Sequence, residues 1–197
     1  MIVSGCLESA ENPDQSGDGP EDDADNSSSS SETHDNWHLC ADVATEPSLA
    51  FERSRATGAV EFDGGIAHGE DSPKGRNLFV ALLADESDLD DHEITAAYVL
   101  DFIGETDFET EAVLAVQHGI TSSSNTPRFM RIEETDDGIH GFGCIKDPYY
   151  PTMDATVTTS LARFERSDTL ETAKATIVTS DGETTVSTDD GIVTVDE

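Results

Sequence analysis

Arg76-Asn77-Leu78-Phe79-Val80-Ala81-Leu82-Leu83-Ala84 contains a nearly unbroken apolar run. A half-buried strand alternates apolar and polar residues, so a run without alternation predicts a strand covered on both faces. The remaining strands are read outward from this one. Upstream, Val60 to Phe62 is a short strand. Downstream, Thr110 to His118, Arg128 to Glu133 and Ile139 to Lys146 read as strands, the last two joined by Asp136-Asp137-Gly138, whose Asp-Gly pair suits a hairpin turn. Ala155 to Arg166 alternates Thr with apolar residues, and Ala173 to Thr179 pairs with Thr184 to Thr188 around Ser180-Asp181-Gly182. Between these strands, Asp90 to Gly104 places Ile94, Ala97, Tyr98 and Phe102 at helical intervals, and Gly104 can end the helix. The sum is a mainly β chain, an antiparallel β-sandwich or open barrel with one short helix.

The composition sets limits on partners. The chain has 43 Asp plus Glu against 10 Lys plus Arg, a net charge of −33, and hydrophobic residues make up 35% of it. The apolar residues come in compact, patterned runs, so most of the chain is expected to fold despite this charge. Lys occurs only at positions 74, 146 and 174, a scarcity typical of surfaces adapted to multimolar salt, where the Debye length shrinks to roughly 3 Å. The same charge excludes nucleic acid, which needs clustered Lys and Arg to displace its counterions. It also excludes electrostatic binding to anionic lipid, so any membrane contact is expected through a covalent lipid.

Met1-Ile2-Val3-Ser4-Gly5-Cys6 contains Val-Ser-Gly-Cys, small residues leading to a cysteine. Residues 1–6 read as the remnant of a lipoprotein signal with its lipobox, Cys6 being the lipid anchor. Leu7 to Asn36 holds ten acidic residues, no Lys or Arg, and the run Ser27 to Ser31. Such a segment buries too little apolar surface to offset its ordering entropy, so 7–36 is expected to be a disordered acidic tether. Asn26-Ser27-Ser28 is a glycosylation sequon. Aromatic and aliphatic residues become regular from Trp37, which makes 37–197 a single β-rich domain. Of the three cysteines, Cys6 is taken as the anchor, leaving Cys40 and Cys144 as an expected disulfide, with two buried free thiols as the alternative.

The lipobox and its acidic, Ser-rich tether resemble those of surface lipoproteins of halophilic archaea, which implies an exported chain anchored to the extracellular face of the membrane. Thr106-Asp107-Phe108-Glu109-Thr110-Glu111, continuing through Ala112 to Val116, resembles the strand that opens small β domains of the PrcB C-terminal type. That resemblance implies an accessory role beside a surface protease. The Thr-Gly-Gly-Tyr turn of that family is replaced here by Thr121-Ser122-Ser123-Ser124.

Chemical motifs are sparse. A blue-copper site needs two imidazoles, a thiolate and a weak axial sulfur. Cys144 and Met153 have no His between them, leaving His68 or His118, with His140, as substitutes. His34, His38 and Cys40 have a zinc-like spacing but lack a fourth ligand. Asp85 to Asp91 is acidic enough to suggest calcium, but Asp90 and Ala96 stand where an EF-hand loop needs Gly and Glu. Neither a Gly-x-Ser-x-Gly elbow nor a His-Glu-x-x-His pair occurs. Gly141-Phe142-Gly143 is followed by no helix and does not read as a phosphate cradle. No catalytic residue, metal or cofactor is therefore assigned. Tyr149-Tyr150, bounded by Pro148 and Pro151, is the expected binding loop. The leading expectation is a surface module binding a protein or glycan partner, ahead of a cupredoxin-like metal or redox carrier and then an extracellular hydrolase.

Overall fold

The computed structural model describes residues 38–41, 43–68, 75–121, 125–136, 138–146, 155–166 and 170–195. Along the chain these form α1 (His38–Ala41), β1 (Phe51–Thr57), β2 (Val60–Glu61), β3 (Asn77–Leu83), a 3-10 turn (Glu86–Asp91), β4 (Glu93–Ile94) and α2 (Ala97–Gly104). They continue as β5 (Glu111–Thr121), β6 (Thr126–Thr135), β7 (Gly138–Lys146), β8 (Thr156–Glu165), β9 (Ala173–Thr179), β10 (Gly182–Ser187) and β11 (Val193–Thr194). The first large sheet has the order β1-β8-β5-β3-β11, with every neighbour antiparallel. The second has the order β10-β9-β7-β6, and β2 pairs with β4 in a small third sheet.

The first sheet is the middle layer. Leu78, Val80, Leu114, Val116, Ala162 and Phe164 on one face meet Phe129, Ile132, Ile139, Ile145, Ala175 and Ile177 of the second sheet. On its other face, Phe79, Ala81, Leu83, Val113, Ala115 and Leu161 are covered by Val60, Phe62, Ile66, Val99 and Ile103. This explains the unbroken apolar run: successive residues of β3 enter two different cores. The mainly β, sandwich-like class read from the sequence is the fold observed.

Gly141 lies where the two sheets approach each other. A Cβ added there would sit 2.6 Å from both the Leu114 and Phe129 side chains, so the Gly-Phe-Gly segment serves packing. Gly138 closes the β6–β7 hairpin at φ 127°, a left-handed conformation suited to glycine.

The structure corrects five details of the sequence reading. Helix α2 begins at Ala97, because Ile94 is drawn into β4 opposite Val60. Its buried residues are Val99 and Ile103, while Tyr98 is exposed. The second sheet is not wholly antiparallel, since β7 and β9 run parallel from Ile139↔Ala173 to Cys144↔Val178. The chain leaves β7, crosses to the first sheet as β8, and returns in its original direction. Strands β1, β4 and β11, absent from the sequence reading, are short or lie at sheet edges, and β10 begins two residues early, at Gly182.

Candidate functional site

Cys6, Asn26, Tyr149 and Tyr150 lie outside the described residues, as does His34. Cys40 and Cys144 are joined, with Cα atoms 5.3 Å apart, and the bridge holds α1 across β7. In that bond Cys144 is not available as a thiolate for copper. The imidazoles named with it occupy separate settings. The His68 ring lies 3.3 Å from the Val60 carbonyl, His118 is buried on β5, and His140 Nε2 lies 2.8 Å from Thr176 Oγ1. Among the described residues, no three His, Cys, Asp or Glu side chains gather closely enough to hold a metal.

The acidic stretch after β3 is a cap. Asp85 accepts hydrogen bonds from the Ser87 amide at 2.9 Å and the Ser87 hydroxyl at 2.8 Å, which hold its carboxyl below the usual range. Asp88 accepts from the Ala84 and Asp85 amides at 2.8 and 2.9 Å. These carboxylates satisfy the free N–H groups that begin the 3-10 turn.

On the outer face of the second sheet, the Arg131 guanidinium lies 3.8 Å from the Phe142 ring centroid, and the His140 ring stacks on Phe142 at 3.9 Å. His140 reaches Thr176, whose hydroxyl lies 2.7 Å from that of Thr185, so side chains link all four strands. Burial first, and then the Lys174 charge, hold the His140 imidazole below its ordinary value.

The remaining arginines mark a more open surface. Arg76 pairs with Asp181, Arg131 with Glu133, and Arg163 with Glu52, Glu105 and Glu111. Arg166 donates to the Phe108 carbonyl. Arg53, Arg55 and Arg128 form no ion pair among the described residues. All three are exposed, Arg53 and Arg55 on β1 and Arg128 on β6. Each of these strands is the edge of its sheet, and the two edges lie side by side.

Arg53 Nη1 donates to the Phe129 carbonyl at 3.0 Å, spanning the two sheets. Its guanidinium lies 5.8 Å from the Phe51 ring centroid. Partial burial, and then the neighbouring Arg128 charge, lower the Arg53 pKa. Beside them runs a groove of about 510 Å³ lined by Thr45, Ser48, Leu49, Arg53, Arg128 and Met130, with Glu46 adding one carboxylate. Two cations held near each other favour an anionic group between them.

Sequence reasoning missed this groove because Phe51-Glu52-Arg53-Ser54-Arg55-Ala56-Thr57 has too few apolar residues to read as a strand. The usable signal was two arginines separated by one residue in a chain with only ten basic residues. No family model, curated protein or solved structure matches this chain.

Proposed function

We propose that this chain is an exported, lipid-anchored accessory module that binds an acidic partner through the arginine-lined edge formed by β1 and β6. One observation carries the reading. Three arginines lack an acidic partner among the described residues and share one edge of a chain that has 43 carboxylates. Random placement on so acidic a surface favours pairing. Guanidinium groups suit planar anions, because their fixed donors match a carboxylate in a two-point contact.

The location is supported by separate features. Val3-Ser4-Gly5-Cys6 supplies the lipid acceptor, and the Cys40–Cys144 bridge suits an oxidising compartment. In multimolar salt, screening hides the net charge of −33 beyond direct contact, so local arginines govern recognition.

A photo-crosslinking residue in place of Met130, introduced in cells grown in high salt, tests the binding surface. Capture at Met130, no capture from Thr185 on the far edge, and loss of capture in Arg53→Glu/Arg128→Glu support the reading. Equal capture from both positions, or from neither, overturns it. Mass spectrometry of the natively produced protein tests the anchor, and an unmodified Met1 terminus overturns that part.

A further inference from the structure

From the edge strands we infer that the acidic partner is an extended polypeptide that adds to β1 as a new strand, its carboxylates at alternate positions facing Arg53 and Arg55. This deepens the proposed binding function and rests on it. Four edges bound the two large sheets, and they differ in what they can accept. Strand β11 has only two residues, too few to hold a strand in register. Strand β10 presents Glu183 and is flanked by Asp181, Asp189 and Asp190, so it repels an acidic chain. The β6 edge is already engaged. Arg53 donates to the Phe129 carbonyl, Leu49 N donates to the Ile132 carbonyl, and Ile132 N donates to Ser48 Oγ. Its register also shifts between Phe129 and Arg131.

Strand β1 is different. Its seven residues pair with β8 without a break, from Phe51↔Phe164 to Thr57↔Thr158, and no described strand lies on its other side. Side chains alternate along a strand. Phe51 joins the core between the two sheets and Arg53 reaches Phe129 of the second sheet, so Arg55 shares that face. Glu52 and Ala56 point the other way, toward Arg163 and the second core. A partner strand beside β1 therefore meets two guanidiniums on one face. Residues directly opposite each other in antiparallel strands have Cβ atoms about 5 Å apart, near enough for a carboxylate to pair with each arginine.

Charge also selects the occupant. Symmetric pairing of β1 with a second copy about Ser54 sets Arg53 against Arg55, and like charges directly opposite are unfavourable. Edge charges commonly protect a strand from pairing, and these arginines do so against neutral or basic strands. An acidic strand converts the same protection into recognition, with the backbone supplying affinity and the arginines supplying register.

The test uses the full chain, ¹⁵N-labelled, in 3 M KCl. Two capped nine-residue peptides serve as probes, one alternating Asp with Val and the other Lys with Val. The Asp peptide should bind at least tenfold more tightly than the Lys peptide, and it should slow hydrogen exchange at alternate amides within Phe51–Thr57. Arg55→Glu, which removes no side-chain hydrogen bond or ion pair among the described residues, should reverse the preference between peptides while the thermal midpoint stays unchanged. Failure of both peptides to bind overturns the inference. So does binding of the Asp peptide that leaves the β1 amides exchanging as before, or that is indifferent to Arg55→Glu. These results leave the binding function standing if Met130 still captures a partner, because that capture requires no added strand.

Discussion

Gln117 is buried on β5, and its amide fastens the cover over the middle sheet. Its Oε1 accepts from the Ile66 amide at 2.9 Å, and its Nε2 donates to the Val60 carbonyl at 2.9 Å. Replacing it with Leu, of similar size, strands the Ile66 N–H in an apolar setting and leaves the Val60 carbonyl to the His68 ring 3.3 Å away. The expected loss is about 1 to 3 kcal/mol, the cost of one buried unsatisfied group. Denaturant unfolding measures it, and Gln117→Glu should also destabilise because a carboxylate cannot donate to Val60. The adjacent residue gives a pH dependence. Burial is the main cause that pushes the His118 imidazole down to about 4 from 6.5. The unfolded chain therefore binds the proton more readily. The neutral ring's contribution is complete above pH 6.5 and is lost as pH falls from there through about 4, a change of roughly 3 kcal/mol. Unfolding midpoints measured between pH 7 and 4.5 should decline with this slope, and His118→Asn should flatten that part of the profile.

Among the elements, the 3-10 turn after β3 is capped by two carboxylates while Leu89 packs it against the second core. Asp88→Ala removes the acceptor for both the Ala84 and Asp85 amides and should cost about 1 kcal/mol, as loss of a helix cap does. Asp88→Asn keeps an oxygen and should recover part of it, with thermal denaturation as the measurement. The acidic run was visible in the sequence, but its bonding to neighbouring amides was not, because charge alone does not tell a cap from a solvated loop. Strand β3 was legible for the opposite reason: burial of both faces writes itself as an unbroken apolar run. The β6–β7 hairpin was legible from Gly138, whose left-handed φ few other residues adopt. The helix was found but its buried face was not, since Ile94 fits the helical spacing as well as it fits β4. The edge strand β1 escaped, because an edge carrying Arg53 and Arg55 lacks the alternation that a half-buried strand shows. With it went the arginine groove, whose members come from β1 and β6 and meet only in the folded chain.

Across the whole molecule, one covalent link ties the start of the described chain to a central strand of the second sheet. Cys40 and Cys144 are 104 residues apart, and closing a loop of that size removes about 4 to 5 kcal/mol worth of freedom from the unfolded chain in the entropy model. Reduction should lower stability by up to that amount, and comparing Cys40→Ser/Cys144→Ser with the reduced wild type separates the lost bond from reagent effects. Cys144 is buried and Cys40 only partly so, which means that a reductant should reach the bridge from the Cys40 side. The crossover from β7 through β8 to β9 has a further consequence, in time rather than in space. Among the described strands β1 pairs only with β8, Ser54 opposite Leu161, so it waits for that partner until most of the chain has emerged from the ribosome or translocon. For that interval both of its edges are open. The two arginines that face outward in the finished fold are then also guards on a waiting strand, discouraging neighbouring nascent chains from joining it before β8 arrives.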